Sequence, residues 1–221
     1  MLKVYYNLMR KLTQFFPLLA GSFLLASAGL SQQPDTLKTS ALESHEGMTI
    51  TARPWTDPAL YKEKFHKKSP FAAGIVAVQV AFRNDSDDSM KVNLERVRLN
   101  ITISEEERQA LDALSSEEAT DVILSPGAKG PSARRLPFPV GGPKVGHDKK
   151  WMDVEQELRE AGVHASVVAP HSTVQGLLYF NLRNQLDLLN TARLYVPEVV
   201  ALEKNHGLLY FEIDLSRARE H

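Results

Sequence analysis

The sequence predicts a mainly β protein, an antiparallel β-sandwich carrying one helical and loop insertion. Three observations predict it. Short apolar runs alternate with a period of two at several places, the mark of half-buried strands. Clusters of Pro, Gly, Asn, Asp and Ser separate those runs at turn-like spacing. The strand–helix–strand rhythm of a parallel sheet is missing. The chain of 221 residues suffices for one domain with a long insertion, and its 43% apolar content supplies a core.

Two strands organise the rest. In Val167 to Leu182, the residues Val174, Gly176, Leu178 and Phe180 oppose Thr173, Gln175, Leu177 and Tyr179. In Gly207 to Leu215, the residues Leu209, Phe211, Ile213 and Leu215 oppose Leu208, Tyr210, Glu212 and Asp214. The pentapeptide Gly-Leu-Leu-Tyr-Phe occurs in both, at Gly176 to Phe180 and at Gly207 to Phe211. The flanking residues do not match. Two core strands under similar demands explain the repeat better than a duplication.

The N-terminus has the pattern of a secretory signal peptide. Lys3, Arg10 and Lys11 make a positive start, Phe15 to Leu25 is apolar, and Ala26-Ser27-Ala28 is a small-residue cleavage site. Cleavage after Ala28 is the expectation. The alternative is a retained membrane anchor, although the apolar run is short for a span and contains Pro17. The expected organisation is then a signal peptide at 1–28, a flexible lead-in at 29–45, one sandwich domain at 46–216 with an insertion at 104–162, and a charged tail at 217–221. With no cysteine, the chain has no disulfide, thiolate metal site, thiol nucleophile or lipidated cysteine. An exported domain of this size then relies on core burial. A formal net charge of -1 argues against a dedicated nucleic-acid binder.

In chain order, Met48, Ile50 and Ala52 alternate in a first strand that Pro54 stops. Asp57-Pro58 starts a short helix, with proline at its first position, which sets Tyr61 and Phe65 one turn apart. Trp55, Tyr61 and Phe65 are interleaved with Lys62, Lys64, Lys67 and Lys68. Such interleaving is a candidate grip on an anionic polymer or a sugar. The competing reading is a helix that lays its aromatic side over one end of the sandwich and leaves its lysines in water. Gly74 to Arg83 is the cleanest strand, followed by the polar turn Asn84 to Ser89. The oxygens of that turn lack EF-hand spacing, so a solvated hairpin turn is expected. Met90, Val92 and Leu94 then alternate on even positions, and Val97, Leu99, Ile101 and Ile103 on odd ones. A phase switch at Glu95-Arg96 requires a bulge or a strand that crosses between sheets.

Beyond Ser104 the β cadence breaks. Glu105 to Leu114 reads as a helical turn or a loop. Ser115 and Glu118 form a capping box for a helix that Ser125-Pro126-Gly127 ends. Ala128 to Lys150 reads as a flexible basic loop, with Lys129, Arg134, Arg135, Lys144, Lys149 and Lys150 against Asp148. It is a candidate contact with anionic lipid, polysaccharide or protein, or a solvated insert. Trp151, Val154, Leu158 and Ala161 make a helical stripe closed by Gly162. A short strand at Val163 to Val168 and a turn at Ala169 to Ser172 follow. After a connection at Asn181 to Asn190, Ala192, Leu194 and Val196 make a strand that Pro197 interrupts, which suits an edge strand or a strand end.

A search for chemistry is sparse. His45, His66, His147, His164, His171, His206 and His221 include no pair at metal-binding spacing. His164 and His171 flank one strand and its turn, near enough in sequence to converge. There is no Gly-x-Ser-x-Gly elbow and no phosphate-binding glycine loop of the Walker type. No catalytic set, metal or cofactor is expected.

The stretch Val168-Ala169-Pro170-His171-Ser172-Thr173-Val174-Gln175-Gly176-Leu177-Leu178-Tyr179-Phe180 resembles the penultimate-strand region of exported bacterial immunoglobulin-like domains of unknown function. In those domains a Pro-Gly turn precedes a Thr-x-x-Gly-x-x-x-Phe strand. Here His171 stands at the usual glycine position. The resemblance covers the β portion and implies an extracytoplasmic accessory or binding module without activity. With the strand count, it points to an immunoglobulin-like sandwich in the broad sense. The expected function is an exported, non-catalytic module that binds a protein or envelope component. Its candidate surface comprises Trp55, Tyr61, Lys64, Phe65, Lys68, Arg134, Arg135 and Lys144. A hydrolase with a site hidden in the fold and a membrane-tethered structural protein are the alternatives.

Overall fold

Twelve strands and three helices follow one another in the computed structural model, which describes residues 40–125, 147–208 and 210–218. In chain order they are β1 (Ala41–His45), β2 (Met48–Pro54), α1 (Pro58–Lys64), β3 (Ile75–Asn84), β4 (Met90–Val92), β5 (Arg98–Thr102), β6 (Arg108–Asp112), α2 (Ser116–Leu124) and α3 (Lys149–Ala161). The series ends with β7 (Val167–Val168), β8 (Ser172–Asn181), β9 (Ala192–Val196), β10 (Val199–Ala201), β11 (His206–Gly207) and β12 (Phe211–Asp214). The chain is mainly β, in three antiparallel four-stranded sheets. Their orders are β1-β2-β3-β8, β11-β10-β4-β7 and β12-β9-β5-β6.

The second and third sheets continue one another. The turn Leu94–Arg96 carries β4 into β5, and Pro197 and Glu198 join β9 to β10. These two breaks are bonded together: the Asn93 backbone N–H donates to the Glu198 carbonyl at 3.1 Å, and the Asn93 side-chain amide donates to Glu198 Oε2 at 2.8 Å. The phase switch in the sequence is therefore a strand crossing between sheets. Met90 and Val92 before it and Val97, Leu99 and Ile101 after it are all buried. Pro197 marks a strand end, since β9 lies inside its sheet between β12 and β5.

The main core is built from the alternate residues of these strands. Ile50, Val78, Val80, Phe82, Leu178 and Phe180 of the first sheet share one apolar cluster with Val92, Leu99, Leu194, Val196, Phe211 and Ile213. The other face of the first sheet is covered as well. Ile75 and Ala77 of β3 and Leu177 and Tyr179 of β8 meet Tyr61, Phe65, Ala119, Ile123, Val154 and Leu158 from the three helices and the end of α1. This is why Leu177 to Phe180 form an unbroken buried run at the end of an otherwise alternating strand.

Each helix starts where its sequence signal lies. Asp57 Oδ1 accepts from the Ala59 N–H at 2.8 Å, with Pro58 as the first residue of α1. Ser115 and Glu118 make both bonds of the capping box, at 3.1 and 3.0 Å. Asp148 Oδ1 accepts from the Trp151 N–H at 2.8 Å and opens α3.

Several expectations are corrected. The lead-in ends earlier, because Ala41–His45 pairs with β2 across a turn whose Gly47 has φ +79°. Glu105 to Leu114 is not a helical turn, since Arg108–Asp112 pairs with β5. That edge strand is largely exposed and carries no apolar alternation, so its period was absent from the sequence. The strand expected at Val163 to Val168 shortens to Val167–Val168. The turn Leu215–Ala218 extends the core past residue 216, with Ala218 buried. Lys149 and Lys150 belong to α3 and not to a loop. The signal segment, the lead-in up to residue 39, Pro126-Gly127, the remainder of the basic segment at 128–146, Leu209 and the tail at 219–221 lie outside the described residues.

Candidate functional site

Lysines converge where the end of α1 meets the first half of α3. Tyr61 and Phe65 turn into the helical core, which carries the chain out through His66, Lys67 and Lys68. Glu157 on α3 fixes that exit. Its Oε1 accepts from the His66 N–H at 3.3 Å and its Oε2 from the Lys67 N–H at 3.0 Å. One turn earlier on the same helix, Asp153 Oδ2 lies 3.5 Å from Lys67 Nζ. A further turn back stand Lys149 and Lys150. Together, Lys67, Lys68, Lys149, Lys150, Asp153 and Val154 line an open cleft of about 330 Å³.

Four lysines less one aspartate leave this lining a formal charge of +3. Three further carboxylates stand nearby and keep their charge while they accept hydrogen bonds. Glu157 holds backbone N–H groups, Asp148 caps α3, and Asp121 Oδ1 accepts from Trp151 Nε1 at 2.8 Å. Among the described residues, Lys67 has Asp153 as an ion partner, while Lys68, Lys149 and Lys150 form no ion pair. The four ammonium groups make the cleft lining itself electropositive.

The expected surface residues divide. Lys68 lines the cleft. Lys64 is exposed in the last turn of α1, where a cation suits the helix dipole, and it stands outside the lining. Trp55 is half-buried: its ring meets Tyr61 edge-on at 5.5 Å, and its Nε1 donates to Gln79 Oε1 at 3.3 Å. Tyr61 and Phe65 leave the candidate surface altogether, because both are core. The Tyr61 hydroxyl accepts from the Ala77 N–H and donates to the Trp55 carbonyl, both at 2.8 Å, so it braces β3 against the end of β2. Tyr179 similarly donates to the Leu158 carbonyl at 2.8 Å. Burial pushes both phenols above their ordinary range, and for Tyr179 the neighbouring Tyr61 adds to the effect. Arg134, Arg135 and Lys144 lie outside the described residues.

The remaining candidates resolve into structural roles. His164 Nε2 lies 2.9 Å from the Glu160 carbonyl, and His171 Nε2 lies 2.9 Å from Asp87 Oδ1, so different elements hold the two rings. Among the described residues no group of three His, Asp or Glu side chains is placed to hold a metal. In the polar turn, the buried Asn84 amide donates to the carbonyls of Asp88, Val168 and Ala169 at 2.7, 3.1 and 3.2 Å. Its Oδ1 accepts from the Ser86 N–H and hydroxyl at 3.0 and 2.7 Å. His171 has φ +52°, so it takes the left-handed conformation that a glycine would supply.

No family model and no curated protein matches the chain. A crystal structure described as that of a functionally unknown protein from Listeria monocytogenes EGD-e is similar over 71% of this chain and 70% of its own. The two share 12% identity and superpose with a TM-score of 0.32. So slight a likeness carries no argument.

Sequence reasoning missed Lys67, Lys149 and Lys150 as parts of one site. The signal was present: Asp148 is an N-cap residue, and a helix begun there sets Lys149, Asp153 and Glu157 at four-residue spacing on one face.

Proposed function

We propose that the chain is an exported, non-catalytic interaction module. Its fold is an immunoglobulin-like sandwich, and it meets a protein or envelope component through the lysine cleft. The N-terminal pattern of positive start, apolar run and Ala26-Ser27-Ala28 supports export. The strand order supports the immunoglobulin-like reading. β2 and β3 are followed by a crossing to β4, β5 and β6. The chain returns to β8 beside β3, crosses again to β9 and β10, and closes with β11 and β12. That is a Greek-key path. The observation that carries the contact reading is the convergence of Lys67 and Lys68 with Lys149 and Lys150 on one concave surface.

Capture from the envelope fraction of the producing cells tests it. The wild-type chain is expected to retain a stoichiometric partner that the Lys68→Glu/Lys150→Glu variant loses. Lys91→Glu, an exposed change on β4, is expected to retain it. Equal capture by all three proteins removes the cleft from the reading. The intact mass of the exported protein is expected to lack residues 1–28, and a mass that includes them favours a retained anchor.

A further inference from the structure

We propose that the cleft binds phosphate groups, taking a molecule or surface that presents two or more phosphates close together. This rests on the contact reading above and names the chemistry that the contact recognises.

Three observations carry it. The first is the charge, formally +3 on the lining of an open cleft of about 330 Å³. That is room for two or three linked phosphates. The second is the kind of cation. A lysine ammonium is a compact point charge with three rotatable donors, suited to phosphate oxygens approached from several sides. A stacking ring would mark a base or a sugar. The lining has no ring, and Val154 is its apolar member.

The third is the shape. Lys149 and Lys150 stand in the first turn of α3, on the same concave lining as Lys67 and Lys68. The two acids on this face of α3 act as braces: Glu157 holds the 66–67 backbone and Asp153 holds Lys67. These bonds fix the shape of the cleft, and a preformed site costs less to bind.

A soluble oligophosphate and an anionic lipid headgroup offer the same chemistry, and one set of measurements separates them. The full chain is unfolded thermally with sodium tripolyphosphate as the probe, against sodium chloride at equal ionic strength. At a hundredfold excess over Kd, the midpoint is expected to rise by about 5 to 10 °C. Lys68→Gln/Lys150→Gln is expected to lose that rise, and Lys91→Gln to keep it. Sedimentation with phosphatidylglycerol vesicles that tripolyphosphate reverses, and none with phosphatidylcholine vesicles, assigns the lipid source. Stabilisation without sedimentation assigns a soluble phosphate. No rise beyond that in chloride, or an equal rise in the double variant, overturns the proposal. If phosphate fails while the cleft variant still loses its envelope partner, the contact reading stands and the phosphate chemistry falls. If neither responds to the variant, both fall.

Discussion

Replacing Gly176 with alanine tests the way the helical layer is seated on the sandwich. A Cβ at residue 176 would lie 2.4 Å from the Gly162 carbonyl oxygen and 2.6 Å from both the Gly162 carbonyl carbon and the Val163 nitrogen. These are backbone atoms at the end of α3, so no side-chain rotation relieves them. The α3 terminus would have to withdraw by about 1 Å to restore ordinary contact. That movement loosens Leu158 and Ala161 above Leu177 and Tyr179. Overpacking of this kind costs roughly 1 to 3 kcal/mol, and more against backbone. Gly→Ala in a strand returns about 0.5 to 1 kcal/mol through the unfolded chain. The expected net loss is about 2 kcal/mol, or roughly 4 to 8 °C in the thermal midpoint of a domain this size. Gly207 is the internal control. It occupies the same place in the repeated pentapeptide, yet a Cβ there meets nothing within 4 Å. Gly207→Ala is expected to change stability by no more than about 0.5 kcal/mol. Urea unfolding of the two variants reads the difference. A Gly176→Ala protein as stable as wild type would refute the close seating of α3 on β8.

Tyr61→Phe keeps the ring and removes the hydroxyl that joins the Ala77 N–H to the Trp55 carbonyl, so about 2 kcal/mol is expected to be lost in urea unfolding. Asn84→Asp exchanges an amide that donates to three carbonyls for a buried acceptor, and it is expected to cost about 3 kcal/mol or more by the same assay. Alkaline stability follows from the two buried phenols. Their folded pKa values lie above the ordinary 10.0, so the folded chain keeps protons that the unfolded chain releases. Stability that is fully present below pH 10 is lost progressively as pH rises from there towards the raised folded values, at up to about 1.4 kcal/mol per pH unit for each tyrosine. Thermal midpoints across pH 9 to 11 measure the slope, which Tyr179→Phe is expected to reduce.

The sheet interiors were legible because their residues obey a period of two that burial alone enforces. Val76, Val78, Val80 and Phe82 show this, as does the phase switch at Glu95-Arg96, which the structure resolves as a crossing between sheets. The helix starts were legible through Asp57-Pro58 and the Ser115–Glu118 box, whose bonds are local. β6 was not, since an exposed edge strand has no apolar face to reveal it. Tyr61 and Phe65 were ambiguous because an aromatic beside lysines has the same sequence whether it points into a core or into solvent. The helical layer over β3 and β8 settles their direction. The lysine cleft was hidden for another reason: its two halves lie far apart in the chain, and the tertiary contacts of Glu157 and Asp153 with residues 66 and 67 bring them together.

The concave lysine face is proposed as the contact with a partner. Photo-crosslinking in the envelope of producing cells tests it most directly, with a crosslinking side chain placed in turn at positions 68, 150 and 91. The account expects a discrete adduct from positions 68 and 150 and none from position 91. Adducts from position 91 alone, or none from positions 68 and 150, would contradict it.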